Sequence, residues 1–490
     1  MADLFQRLLG STAPADGEAQ LGEDAALRLY LRKRRARLRR GSFSGGSTAA
    51  ERMNRQRFAV NNTQRLRRRF RKGKRLPALT KEVLSARYRV SPILESLLPE
   101  RRRLWKSIPK RNNTRNRVSL NVNTFSFLDD PAGTLEVLAS IVELEATAID
   151  ARINFTFPFC EDIGPFLVLA EMWPSMAPVF AGGSISAPVQ KVIEAVGLRR
   201  ALGMEFQNAT GNTDIWAMPV QRRRPAGASQ SETRHLDPQR REVVCDMVCD
   251  QLDAWLVSAE TGCELTDEAR AWFKSIIGEI LDNAERHSSL DGDGSWTVTA
   301  FMARRVHNEE ERFACFMAFS SMGQTFAEGL TAERAPHLQA ALENYVYEQK
   351  VQRRAPQSVE TLVTLAALQD GITRDSRAME DERGGTGLLD IASMVATLAS
   401  SHKGLESSRI AIISGRSCIR LKHPYLEGVA AGPTEPRRLW CNASNSRKEA
   451  PDTSHVFDLP IRLPGTVLSV AFDLDPEYLR NVVSDGRDSA

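Results

Sequence analysis

Thr266-Asp-Glu-Ala-Arg-Ala-Trp-Phe-Lys-Ser-Ile-Ile-Gly-Glu-Ile-Leu-Asp-Asn-Ala-Glu-Arg-His287 is the stretch on which the reading of this chain turns. Thr266 has the side chain of an N-cap, and Asp267 and Glu268 put negative charge where a helix presents its positive end. Ala269, Trp272, Phe273, Ile276, Ile277, Ile280, Leu281 and Ala284 follow at helical spacing, an apolar stripe that must be covered by another layer. Glu279, Asn283 and His287 recur at intervals of four, so they share a face bordering that stripe. A carboxylate and an amide held side by side and half buried suit a hydrated Mg2+ that bridges phosphate oxygens. The same residues also read as polar positions at a core boundary, and their spacing alone leaves both readings open.

About 100 residues downstream stands Gly384-Gly385-Thr386-Gly387-Leu388-Leu389-Asp390-Ile391. Glycines ahead of a helix leave backbone N–H groups open to close approach, and the positive helix end attracts phosphates. Together, Glu279-x3-Asn283-x3-His287 and Gly385-Thr386-Gly387-Leu388 resemble the N-box and the second glycine box of the GHKL ATPase superfamily. That group includes histidine kinase catalytic domains, anti-sigma-factor serine kinases, mismatch-repair ATPases, type II topoisomerases and the heat-shock chaperone ATPase. Ile410-Ala-Ile-Ile-Ser-Gly415, Ile419-Arg-Leu421 and Leu463-Pro-Gly-Thr466-Val-Leu-Ser-Val470 look like the closing strands of such a domain, so the resemblance spans about 240–475. It implies ATP and Mg2+ as ligands. Glu279 would orient or deprotonate the attacking water or hydroxyl, and Asn283 would hold the metal. His287, Ser321, Gly323, Gly384, Gly385, Thr386, Gly387, Leu388 and Thr466 would contact the nucleotide, and the stretch from about Gly323 to Arg383 would form a mobile lid. Lys274 and Arg286 flank the site in sequence. One departure stands out. Where the family's first glycine box carries Asp-x-Gly-x-Gly, this chain reads Ser321-Met322-Gly323-Gln324-Thr325, with a neutral hydroxyl in place of the adenine-binding carboxylate.

Upstream, strands alternate with helices. Val118-Ser-Leu-Asn-Val-Asn123 and Ile153-Asn-Phe-Thr-Phe157 read as strands, 133–149, 164–172 and 187–196 as helices, and a further strand is expected near Pro178-Val-Phe-Ala181. The strand at Ile153, the turn Cys160-Glu-Asp-Ile-Gly164 and the run from Pro188 to Gly203 resemble a STAS-type domain, the fold of anti-sigma-factor antagonists. Such domains present a phosphorylatable Ser at that turn. Here Asp162 holds the position, which implies a fixed charge that mimics the phosphorylated state. The expected fold class is therefore α/β: a STAS-like α/β domain over 118–215, a linker over 216–238, a two-layer GHKL-type α/β sandwich over 239–476, and a tail over 477–490.

Charge is distributed unevenly. The whole chain carries 66 Lys+Arg and 61 Asp+Glu over 490 residues, a net of +5. Residues 31–120 alone hold 29 basic side chains against four acids, and residues 121–490 are net −17. Residues 1–117 thus read as a basic, largely disordered arm whose charge density calls for an anionic partner, nucleic acid through 31–117 or an acidic protein surface. No apolar run of about 18 residues exists, so no membrane span is expected. The first residues lack the basic and apolar regions of a signal peptide, and seven scattered cysteines fit a reducing compartment, so the expected location is cytoplasmic. Cys245 and Cys249, four apart, read as a core-facing helical pair. These features imply an ATP-binding regulatory protein, a switch or Ser/Thr-type kinase in partner-switching signalling, with a protein partner and compatible with a homodimer. The alternatives are an ATP-binding scaffold without catalysis and a nucleic-acid-binding effector that uses the arm.

Overall fold

The structure is a computed structural model that describes residues 90–105, 118–148, 151–176, 180–204, 214–223, 238–261, 263–289, 294–307, 310–331, 336–370, 387–399, 407–430 and 435–478, with a few isolated positions besides. Most of the arginine-rich arm, the stretches 224–237 and 371–386 and the end of the chain lie outside the described residues.

Two sheets organise the chain. The smaller is parallel, with strands β1 (Val118–Val122), β2 (Ala151–Phe155) and β3 (Phe180–Ile185) in sequential order. Parallel neighbours need crossover connections, and helices α3 (Pro131–Thr147) and α4 (Gly164–Met176) supply them, while α5 (Ala187–Ala195) and α6 (Leu198–Ala201) follow β3. The larger sheet has the order β5-β4-β6-β7-β9-β8. Its main strands are β4 (Ile215–Arg223), β6 (Thr297–His307), β7 (Glu310–Met322), β8 (Arg409–Lys422) and β9 (Val456–Leu474), all antiparallel to their neighbours. The two-residue β5 (Pro238–Gln239) adds a parallel edge to β4. The chain is thus mixed α/β, and among the described residues no helix is long and apolar enough to cross a membrane.

Both faces of the larger sheet are apolar, because successive side chains on each strand alternate sides. One face, with Val298, Ala300, Cys315, Met317, Phe319, Ile412, Leu468 and Val470, packs under α7 (Arg241–Ser258), α8 (Asp267–His287) and α12 (Gly387–Leu398). Cys245 and Cys249 line the buried side of α7, as their spacing predicts. The other face, with Phe301, Phe316, Ala318, Ile413, Val467 and Ala471, shares a single core with α3, α4 and the parallel sheet. A two-layer sandwich preceded by a separate domain is therefore replaced by a three-layer arrangement in which the N-terminal α/β unit seals the second face.

Three expectations on boundaries change for physical reasons. The stretch expected as a linker begins as strand β4, where Met218 and Val220 are buried against β6; only its Arg222-Arg223 end looks like linker. Residues 90–105, counted with the flexible arm, form α1 (Pro92–Leu97) and α2 (Arg101–Trp105). Leu94 and Leu97 there are fully buried, and Arg101 pairs through Nε with the buried Glu145 at 3.0 Å. Lastly, 326–367, expected as part of a mobile lid, is built of helices. It holds α9 (Phe326–Thr331), α10 (Pro336–Tyr347) and α11 (Val359–Ala367), whose Leu330, Leu342, Tyr345 and Leu362 form a packed core of their own. The rest of the expected lid, 371–383, lies outside the described residues.

Candidate functional site

Helix α8 starts where its sequence says it should: the Thr266 hydroxyl accepts from the Ala269 amide at 3.2 Å. Phe273, Ile276, Ile277 and Leu281 bury one side against the sheet, which leaves Glu279 and Asn283 half buried at the edge of the contact. The helix is pinned about its axis by its other carboxylates. Asp282 bonds Arg241 and, at 2.8 Å, Arg286; Glu285 accepts from Trp296 Nε1 at 2.8 Å and faces Arg223 at 3.5 Å. Lys274 pairs with Asp246 at 2.6 Å. Both flanking cations thus have structural partners on the helical side.

Between α8 and the ends of β7, β8 and β9 lies a cleft of about 130 Å3. Its walls are apolar: Ile280, Ala284, Trp296, Phe319, Phe326, Leu330, Leu388, Ile412 and Leu468. Glu279 and Asn283 line it from the helix, and Ser288, Ser320, Ser321, Gln324, Thr325 and Thr466 supply the remaining polar lining. Strand register explains the floor. Ser321 on β7 stands opposite Thr466 on β9, which stands opposite Ser414 on β8, so three hydroxyl residues form a row across the sheet. Ser414 Oγ accepts from the Phe326 amide at 3.0 Å and lies 2.8 Å from Thr466 Oγ1.

Two glycines bring these elements together. Gly323 has φ +140°; its N–H donates to the Pro464 carbonyl at 3.1 Å, and the next amide, of Gln324, donates to Ser288 O at 2.9 Å. A Cβ on Gly323 would run into that Ser288 carbonyl, and one on Gly465, at φ +138°, into the carbonyl of Ser321. Only glycine lets the turn after β7 touch both the end of α8 and the middle of β9.

Three polar atoms of the lining, Ser288 Oγ, Ser321 Oγ and Gln324 Oε1, are buried without a hydrogen-bond partner. Buried polar groups are almost always paired, so such a gathering in one cavity is the mark of a missing ligand or solvent. Ser320 Oγ is also unpartnered, but its position in the alternation belongs with Phe316 and Ala318 on the opposite face.

The structure therefore assembles Glu279, Asn283, Ser321, Leu388 and Thr466 around one cleft, with Gly323 shaping its turn. Gly387 opens α12 beside Leu388, and His287 closes α8. Gly384, Gly385 and Thr386 lie outside the described residues. The sequence reading missed Ser288, Gln324, Trp296 and Phe326. Two of them adjoin residues it named: Ser288 follows His287 and Gln324 follows Gly323.

Asp162, read as a phosphate mimic on a presented turn, is instead buried. Its carboxylate accepts from the Phe127, Leu128 and Gly164 amides at 2.6, 3.3 and 2.8 Å and from Ser469 Oγ at 2.8 Å. Burial outweighs those hydrogen bonds and pushes its pKa up to about 6. Asp162 joins the N-terminal unit to β9 and has no exposed oxygen to offer a partner. Comparison of the chain with family models, curated proteins and solved structures finds no match.

Proposed function

We propose that the cleft under α8 is a nucleotide site of GHKL type and that the chain is an ATP-binding regulatory protein. The observation that carries this reading is the convergence of Ser288 Oγ, Ser321 Oγ and Gln324 Oε1, all unpartnered, in an apolar slot that Glu279 and Asn283 also line. An aromatic base suits such a slot: flat and apolar on its faces, it carries its polar atoms on the edge, where these groups wait. The donor set also fits Mg2+, which takes few protein ligands and keeps several waters. Asn283 would hold it, and when bound it would neutralise charge across phosphate oxygens. Glu279, one turn before Asn283, is placed to accept the proton of an attacking water or hydroxyl. Leu388 puts the start of α12 at the cleft, so its N-terminal amides would face the phosphates.

Titration calorimetry with Mg2+ and ATP tests this reading. The wild-type chain should bind, and Asn283→Ala should weaken Mg2+-dependent binding by about tenfold or more with an unchanged melting temperature. Equal affinity in the variant would overturn the assignment. Glu279→Gln separates the switch or kinase from the scaffold: binding is retained in either case, and turnover falls only if Glu279 takes the proton.

A further inference from the structure

We infer that the base-recognition end of the cleft does not discriminate between 6-amino and 6-oxo purines, so the ligand class is purine nucleoside triphosphates at large rather than ATP alone. This inference rests on the nucleotide reading above. Among the described residues that line the cleft, Glu279 is the single carboxylate, and it sits on α8 two turns and more before Ser288. The floor is made of hydroxyls. A carboxylate can only accept a hydrogen bond, so at this position it would favour an amino group and repel a carbonyl oxygen. A hydroxyl donates or accepts by rotating.

Ser321 Oγ has no protein partner, so its proton is uncommitted. Thr466 is equally adaptable for a different reason. Its Oγ1 shares one hydrogen bond with Ser414 Oγ, either atom being able to donate. When Ser414 donates, Thr466 keeps its own proton for the cleft; when Thr466 donates, its lone pairs face the cleft instead. Ser414 meets both cases, because its bond from the Phe326 amide uses only one lone pair. Gln324 adds a side-chain amide, which carries both donor and acceptor atoms. Exchange of an amino for an oxo group therefore leaves the base edge with a matching partner either way, and an unmatched edge is what produces strong rejection.

The test measures binding of ATP and ITP, each with Mg2+, to the full chain. ITP differs at the position-6 edge and lacks the 2-amino group that would add bulk in GTP. The expected result is two dissociation constants within about fivefold of each other, and Ser321→Asp should then favour ATP over ITP by about 50-fold or more. A wild-type preference for ATP above about 100-fold overturns the inference while leaving the nucleotide site standing. Failure of both nucleotides to bind removes the inference together with the reading beneath it. The wild-type ratio needs no variant, so a Ser321→Asp chain that fails to fold does not weaken the test.

Discussion

The two faces of the larger sheet bury polar groups in opposite ways. On the face covered by the N-terminal unit, Asp162 takes four hydrogen bonds and Glu145 is matched by Arg101. On the face covered by α8, three polar atoms are buried beside each other without partners. Single unpaired atoms occur elsewhere too: Ser320 Oγ on the sealed face, Tyr345 OH in the helical core of 326–367, and the side-chain oxygens of Gln349 and Gln357, whose amide nitrogens engage backbone carbonyls. Burial of a polar side chain therefore says little about its role here; what differs between the two faces is whether neighbouring buried groups find partners within the protein.

The largest expected effect falls on the sealed face. Arg101→Met removes the guanidinium that pairs with Glu145, which is 0% exposed, and should cost about 3–5 kcal/mol in urea unfolding. Arg101→Met combined with Glu145→Met should recover most of that loss, because the desolvated charge goes with its partner. If the double variant is as unstable as the single one, the pair is not the balanced unit described here.

A somewhat smaller effect is expected from pH. The folded pKa of Asp162, about 6, lies above the ordinary 3.8. Its contribution to stability is therefore fully present below pH 3.8 and is lost as pH rises through 6, since in between the folded state holds a proton that the unfolded state has released. Over that interval the change amounts to about 3 kcal/mol. Other carboxylates titrate in the same range, so the measurement is the difference between the wild type and Asp162→Asn. Wild-type stability should fall relative to the variant between pH 4 and 7, and parallel profiles would show that Asp162 is not desolvated as its surroundings indicate.

The sequence made the face under α8 legible and left the sealing of the opposite face hidden. Thr266, the apolar stripe and the Glu279–Asn283 spacing set α8 correctly because capping and periodicity are local properties. Gly323 and Thr466 were reached only through the resemblance to the GHKL glycine box and closing strands, since no local pattern ties a residue at 323 to one at 466. Asp162 was misread because its partners lie 34, 35 and 307 residues away in Leu128, Phe127 and Ser469, separations that no local pattern reports. The heptapeptide Pro92–Leu98, with Ile93, Leu94, Leu97 and Leu98, was hidden among arginines, and β4 by its own basic end. The helices of 326–367 were masked by a family expectation of a lid, although Ser358 caps α11 through the Thr361 amide at 3.2 Å.

The smallest effect on stability belongs to Ser321→Ala, and it bears most directly on the contrast between the faces. The Ser321 hydroxyl has no protein partner, so its removal breaks no hydrogen bond within the protein. Stability should stay unchanged or rise by up to about 1 kcal/mol, whereas affinity for a purine nucleotide should fall by about tenfold because the base edge loses a partner. A hydroxyl serving the fold would behave in the reverse way, lowering stability and leaving affinity untouched. Thermal unfolding and nucleotide titration on this one variant therefore separate the two roles. Asp162→Ala is the matched control on the other face: it leaves three backbone amides unanswered, lowers stability, and leaves nucleotide affinity of the folded chain as it was.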